Sequence, residues 1–321
     1  MRGVPQFIDQ AGSDAIDPRA QVLRALERRN ASIAPKYFYD RLGSALFAAI
    51  CQLPQYYPTR TEASIFEACG DEIAAAVGEG ATLIDLGAGD CAKAERLFGR
   101  FKPAAYVAVD IAVEYVREAL SNLQRRFPGL PMLGVGCDFS AGLSLPGAVP
   151  EARRVFFYPG SSIGNFAPRE AVAFLRRLRE QSDPQGGLLL GADLAKSKEV
   201  VEPAYDDPLG VTAAFNRNVL AHLNRVAGTD FDLAHWKHVA FLNEAESRIE
   251  MHLEATRATR VSWAGGGREF AAGERIHTEN SYKYRPQQVE AMLRDAGYGP
   301  HRKWTDPQGW FGVYYARPAG R

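Results

Sequence analysis

The stretch TLIDLGAGD, residues 82–90, sets the fold. An apolar run ending at Leu86 has the composition of a strand buried on both faces, and Gly87-Ala88-Gly89 ends it in a tight turn. Such a turn presents backbone N–H groups at the carboxyl end of a strand, where ligands bind in open α/β sheets. Carboxylates recur nearby: Asp85 just before the turn, Asp110 closing YVAVD (106–110), and Asp138 in Cys137-Asp138-Phe139 after a third strand.

Outward from this run the chain alternates between periods of two and 3.6 residues. Helices are expected over Glu62–Val77, Ala92–Arg100, Val113–Phe127 and Arg169–Gln181. Strands are expected at 82–86, 106–110, 132–136, 155–159 and 188–193. This alternation predicts βαβ units and a parallel sheet. Over 197–285 it gives way to a helix at Val211–Val226 and period-two segments at 238–244, 247–256 and 258–263, with a Gly265-Gly266-Gly267 turn signal. From Pro286 a helix to Ala296, an extended segment 301–306 and a strand 311–316 resume the first pattern and close it with a hairpin. The expectation is a doubly wound α/β sheet (60–196 plus 286–321) with a smaller α+β domain (1–59 plus 197–285).

Bulk properties narrow the ligand class. The chain has 321 residues, 46% hydrophobic and 24% charged, with 38 basic and 38 acidic side chains. A balanced charge gives no electrostatic support for a nucleic-acid partner and points to a small molecule. The four cysteines are widely spaced without a C-x-x-C pair, so reduced thiols in a cytoplasm are expected rather than a disulfide framework or zinc site. His235 and His238 stand three apart but lack a third ligand nearby; they read as core or surface histidines, and no metal is expected. No signal pattern and no apolar run of about 18–20 residues is present, so no membrane association is expected. A soluble monomer is the expected form.

The loop alone leaves two cofactors open. Gly87-Ala88-Gly89-Asp90-Cys91-Ala92 satisfies G-x-G-x-x-A, which admits a nicotinamide dinucleotide. Asp85 argues otherwise, since a carboxylate at the turn repels a pyrophosphate and suits a positively charged cofactor. Asp110 is placed for two ribose hydroxyls, Asp138 for an adenine amine and Phe139 for the adenine face. Together with the terminal hairpin, this layout favours S-adenosylmethionine (SAM).

Longer motifs sharpen the reading. KYFYDRLGSALF (36–47), LPQYYPTRTEA (53–63), PGSSIGNF (159–166), AYDDPLGVTAAFNRNVL (204–220), RIEMHL (248–253) and TENSYKYRP (278–286) resemble the histidine-specific Nα-methyltransferases of ergothioneine biosynthesis. The match runs in order from about residue 32 to the end. The resemblance implies a Rossmann-like class I methyltransferase sheet and SAM-dependent trimethylation of the L-histidine α-amine to hercynine. It assigns Gly87, Lys93, Asp110, Asp138 and Phe139 to SAM. It gives Tyr56, Asn165 and Tyr205 to the amino-acid head group, Tyr39 and Tyr56 to the reacting amine, and Phe47 and Met251 to the pocket wall. Glu279 and Ser281 would receive the imidazole; Asn280 between them is counted with the substrate contacts, stands where an apolar residue is common in the family, and could serve through its backbone. A same-fold enzyme acting on another amine, such as tryptophan, is the alternative.

The residue types suit that chemistry. Methyl transfer from a sulfonium needs a neutral amine aligned with the S–CH₃ bond, and aromatic faces suit a growing quaternary cation at about 2 kcal/mol per desolvated contact. Glu279 and Ser281, at i and i+2, share a face of any strand that contains them. A carboxylate plus a hydroxyl then matches the donor and acceptor of a neutral imidazole.

Overall fold

The computed structural model describes residues 5–10, 17–140 and 142–320. In chain order the strands are β1 (Gln6–Asp9), β2 (Thr82–Leu86), β3 (Ala105–Asp110), β4 (Met132–Gly136), β5 (Arg154–Tyr158) and β6 (Gly187–Asp193). They continue with β7 (Trp236–Asn243), β8 (Arg248–Ala255), β9 (Thr259–Trp263), β10 (Gly266–Phe270), β11 (Arg275–Tyr282), β12 (Tyr298–Thr305) and β13 (Phe311–Pro318).

The first of two compact units comprises, among described residues, 5–10, 58–195 and 283–320. Its sheet has the order β1-β4-β3-β2-β5-β6-β13-β12, with β13 antiparallel to β6 and to β12 and the other pairings parallel. Every residue of β2 and of β6 is buried, as central parallel strands require. The order reverses at β2: the chain moves to β3 and β4 on one side, then returns to β5 and β6 on the other. The glycine turn therefore lies at the topological switch point of the sheet. This is the class I sheet with its closing hairpin, as expected.

Helices cover the sheet through single apolar stripes. Val116, Leu120 and Leu123 bury one face of Val113–Arg126, and Ala171, Phe174, Leu175 and Leu178 one face of Pro168–Glu180. Pro168 and Pro286 each open a helix, where a missing N–H costs nothing. The helix expected over 92–100 is two short turns, Ala92–Glu95 and Phe98–Phe101. Between them Leu97 N–H bonds back three residues to Ala94 O, a tighter turn that breaks the α pattern.

The domain boundaries expected from sequence need one correction. Residues 6–9 pair in parallel with β4 and belong to the large sheet, not to the smaller unit. Four residues are too few for periodicity to register. The pairing leans on Gly134, where an added Cβ would lie 2.2 Å from the Phe7 ring.

The second unit comprises described residues 17–57 and 196–282. An antiparallel sheet of order β11-β8-β7 packs against the helix Val211–Val226, and β9 and β10 form a separate hairpin. That helix buries Phe215, Asn216, Val219, Leu220 and Leu223. Its start is fixed by Asp207, whose two oxygens accept the Val211 and Thr212 N–H groups. The β11–β8 register slips between His277 and Glu279 at a bulge on Thr278.

Candidate active site

Three adjacent parallel strands bring the expected donor residues to one edge of the first unit. β2 leads into Gly87, β3 ends at Asp110, and β4 runs to Gly136 just ahead of Asp138 and Phe139. Gly87 adopts φ +73°, a left-handed conformation that favours glycine, and its own N–H is held by Val109 O at 2.8 Å. A Cβ there would meet the Phe139 ring at 3.9 Å, so the bare backbone and the aromatic face border the same space. Phe139 is fixed from behind by Tyr158 and Phe174, with ring centroids 6.0 and 5.9 Å away.

Asp110 also shapes the loop. Its Oδ2 accepts the Gly89 N–H at 2.9 Å and its Oδ1 the Ala112 N–H at 2.8 Å. Burial raises its pKa, while these backbone donors pull it down. A carboxylate has about four acceptor positions, so both oxygens keep capacity for a diol. Asp138 accepts the Ser140 N–H at 3.1 Å and turns the chain after β4. An open glycine turn, a carboxylate with spare lone pairs and a braced aromatic face fit a nucleoside that carries positive charge.

Asp85 departs from the sequence reading. It is 2% exposed, and its Oδ2 accepts the Tyr106 hydroxyl at 2.8 Å. Burial pushes its carboxyl up from 3.8 to about 7, against the pull of Tyr106 and Lys93. Lys93 pairs at 2.6 Å with Glu62, whose other oxygen accepts the Gly160 N–H at 2.7 Å. Glu62 is buried and ties the long helix Tyr57–Val77 to the loops after β2 and β5. Sequence reasoning passed over it, although it stands in the quoted YYPTRTEA motif. Asn165 lies in this same unit, closing the short turn Ser162–Asn165 after β5.

The other expected acceptor residues lie in the second unit, where they form a run of rings and hydroxyls. Tyr39 meets Phe47 edge-on at 5.8 Å, Phe47 meets Tyr56 at 6.2 Å, and Tyr56 meets Tyr205 at 6.3 Å. Phe215 packs against both Tyr39 and Phe47, at 6.0 and 5.9 Å. It too was missed, though it sits in GVTAAFNRN. The Tyr205 hydroxyl and Ser281 Oγ share a hydrogen bond of 2.7 Å. Burial raises the Tyr56 phenol well above its ordinary value, with neighbouring Tyr205, Cys51, Glu279 and Tyr39 adding to the effect. Tyr56 is therefore a neutral donor at physiological pH, not a base.

Glu279, Ser281 and Met251 converge as expected, and Asn280 does not. On β11, Glu279 stands opposite Met251 and Ser281 opposite Ile249, while Asn280 stands opposite Glu250 on the alternate face. The Asn280 Oδ1 is 2.9 Å from His277 Nε2. The bulge at Thr278 explains how residues three apart come to share that face. Behind the clamp, Glu250 is held by Arg248, Asn243 and His252, and its pKa falls to about 2 because these bonds outweigh burial. The Asn280 side chain lies on this rear face, bonded to His277, so only its backbone runs between Glu279 and Ser281.

Among the described residues no group of three or more His, Cys, Asp or Glu could hold a metal, and no helix is long and apolar enough to cross a membrane. None of the four cysteines, all among the described residues, is joined in a disulfide.

The histidine N-alpha-methyltransferase of Mycolicibacterium smegmatis is 42% identical over 314 residues, covering 94% of this chain and 97% of its own. That of Mycobacterium tuberculosis is 41% identical over 305 residues, covering 93% and 94%. Ergothioneine biosynthesis protein 1 of Neurospora crassa is 29% identical over 276 residues, covering 83% of this chain and 31% of that longer protein. The model of the SAM-dependent, histidine-specific methyltransferases matches residues 18–318, and the chain belongs to that family.

Proposed function

We propose that this protein transfers methyl groups from SAM to the α-amine of L-histidine, three in succession, to give hercynine for ergothioneine biosynthesis. The observation that carries the histidine reading is the pairing of Glu279 with Ser281 on one face of β11, with the Tyr205 hydroxyl on Ser281. A carboxylate accepts the imidazole N–H, and the Ser281 hydroxyl can donate to the other ring nitrogen.

SAM, when bound, supplies an electrophilic methyl group on a sulfonium. Asp110 would hold the ribose, Asp138 and Phe139 the adenine, and the Gly87 turn the approach of the methionyl chain, with Lys93 beside it. On the acceptor side, Tyr56, Asn165 and Tyr205 would orient the amino-acid head group by hydrogen bonds. The ordinary α-amino pKa is about 8, so much of the substrate arrives protonated. Tyr56 cannot take that proton because its own phenol is held neutral. The chain's contribution is to orient a deprotonated amine and exclude alternatives, an effect on the order of 7 kcal/mol in good cases. The faces of Tyr39, Phe47 and Tyr56 tolerate the cation that grows with each methyl. The free thiols support the cytoplasm as the setting.

Incubation with SAM and each amino acid separately, read by mass spectrometry, tests the reading. Histidine should gain three methyl groups. A gain on tryptophan alone, or none on any amino acid, would sink it.

A further inference from the structure

The proposed chemistry leaves His238 unused, yet this residue is held in one defined state. It lies on β7 with its side chain only 3% exposed. Its Nε2 is 2.8 Å from the Tyr205 carbonyl oxygen, and its Nδ1 is 2.8 Å from Nδ2 of Asn216. Asn216 sits within the helix Val211–Val226, fully buried, and the same Nδ2 is 3.0 Å from the His252 carbonyl oxygen on β8.

These distances fix the protons. A carbonyl oxygen only accepts, so the Asn216 atom facing His252 must be the NH₂. Its second hydrogen points to His238 Nδ1, which must therefore be bare. The single ring hydrogen is then on Nε2, donated to the Tyr205 carbonyl. Asn216 Oδ1 has no partner among the described residues, a desolvation cost that an apolar side chain of similar shape would avoid.

We propose that Asn216 and His238 form a neutral hydrogen-bonded strut that fixes the Tyr205 backbone and so holds the Tyr205 hydroxyl against Ser281. His238 is a positioning residue and works only uncharged. This deepens the histidine reading and rests on Tyr205 contacting the acceptor. A proton on Nδ1 would face the Asn216 NH₂, donor against donor, and open the strut. The groups around the ring set when that happens. Burial disfavours the charged ring and prevails, keeping its pKa below 6.5. The Tyr205 carbonyl and the carboxylates of Asp206, 4.0 Å from Nε2, and Asp207 act the other way. The helix brings the Asn216 amide to this ring, and the His252 carbonyl on β8 accepts from that same amide.

The test compares four full-length proteins, wild type, His238→Ala, His238→Gln and Tyr205→Phe, in steady-state assays with SAM and histidine across pH 5.5–8. His238→Ala should raise KM for histidine about tenfold, the worth of one buried hydrogen bond, and leave KM for SAM unchanged. His238→Gln, whose amide can donate to Tyr205 and accept from Asn216, should stay within about threefold of wild type. The ratio of wild-type to His238→Gln KM cancels the titration of the substrate itself. It should be flat at neutral pH and climb toward the acid end of the range. In ¹⁵N-imidazole spectra, the resonances lost in His238→Gln should show a neutral ring with hydrogen on Nε2. If His238→Ala does not fold, the pH ratio and the spectra decide. Tyr205→Phe raising KM while His238→Ala does not would overturn the strut and leave the site reading standing. No change in Tyr205→Phe would overturn the site reading and the strut with it. An Nδ1–H or charged ring at pH 7 would overturn the strut directly.

Discussion

Under the proposed function, the two units recognise their ligands by different means. In the first, recognition is built from backbone and strand ends: a left-handed glycine, a carboxylate that also clamps the loop, and a braced ring, all within residues 87–139. In the second, it is built from side chains gathered from segments at 39–56, 205–215, 251 and 279–281, joined by ring contacts and one hydroxyl pair. A site of the first kind is a property of the sheet topology, and other acceptors could be served from it. A site of the second kind is specific to its own side chains. Substitutions should therefore separate cleanly: donor affinity from the first unit, acceptor choice from the second.

The largest expected effect is on the acceptor. Glu279→Ala should weaken histidine binding by roughly 2–5 kcal/mol, because the buried charged acceptor of the imidazole N–H is lost and that N–H is left unpaired, and leave SAM affinity intact. Calorimetry with each ligand alone measures both. An unchanged histidine affinity would break the distinction at its strongest point.

The next effect concerns Asp85 and stability. Its raised pKa means that the folded chain binds this proton more tightly than the unfolded chain. The associated stability is fully present below about pH 4 and is lost as the pH rises to about 7. A shift of that size corresponds to at most about 4 kcal/mol. Asp85→Asn keeps an acceptor for the Tyr106 hydroxyl and removes the titration. Its Tm relative to wild type should rise between pH 4 and 7 and level off above. A pH-independent difference would show that Asp85 is ionised throughout.

Asp110→Ala should raise KM for SAM by an amount equivalent to about 1.5–3 kcal/mol, the worth of hydrogen bonds to a charged group. The smallest effect is that of Tyr56→Phe, which removes one neutral hydroxyl. It should cost about 1 kcal/mol in histidine affinity and shift no limb of the pH profile, since the phenol does not ionise.

The same contrast explains what could be read from the sequence. The strand at 82–86 and the helix at 211–226 occur where period and breakers put them, because each is long or strongly apolar enough to outweigh local ambiguity. β1 escaped because four residues carry no period and its pairing depends on glycines over 120 residues away. The positions of the proposed donor carboxylates were legible because Asp110 ends a strand and Asp138 follows one by two residues. Glu279 and Ser281 were legible only through a motif, supported by their spacing. The face that the Asn280 side chain takes was not legible, because the pairing of Asn280 with His277 depends on a bulge at Thr278 that a run of letters does not show. Glu62 and His238 act by holding other groups, and no spacing rule marks a residue whose partners lie 22 to 98 positions away.

The most direct test of the central claim is a crossed titration. S-adenosylhomocysteine and histidine are each titrated alone into Asp110→Ala and Glu279→Ala. Each variant should lose affinity for one ligand and keep the other: Asp110→Ala for the nucleoside, Glu279→Ala for histidine. Loss of both ligands in either variant, or loss of the opposite one, would contradict the division of recognition between the two units.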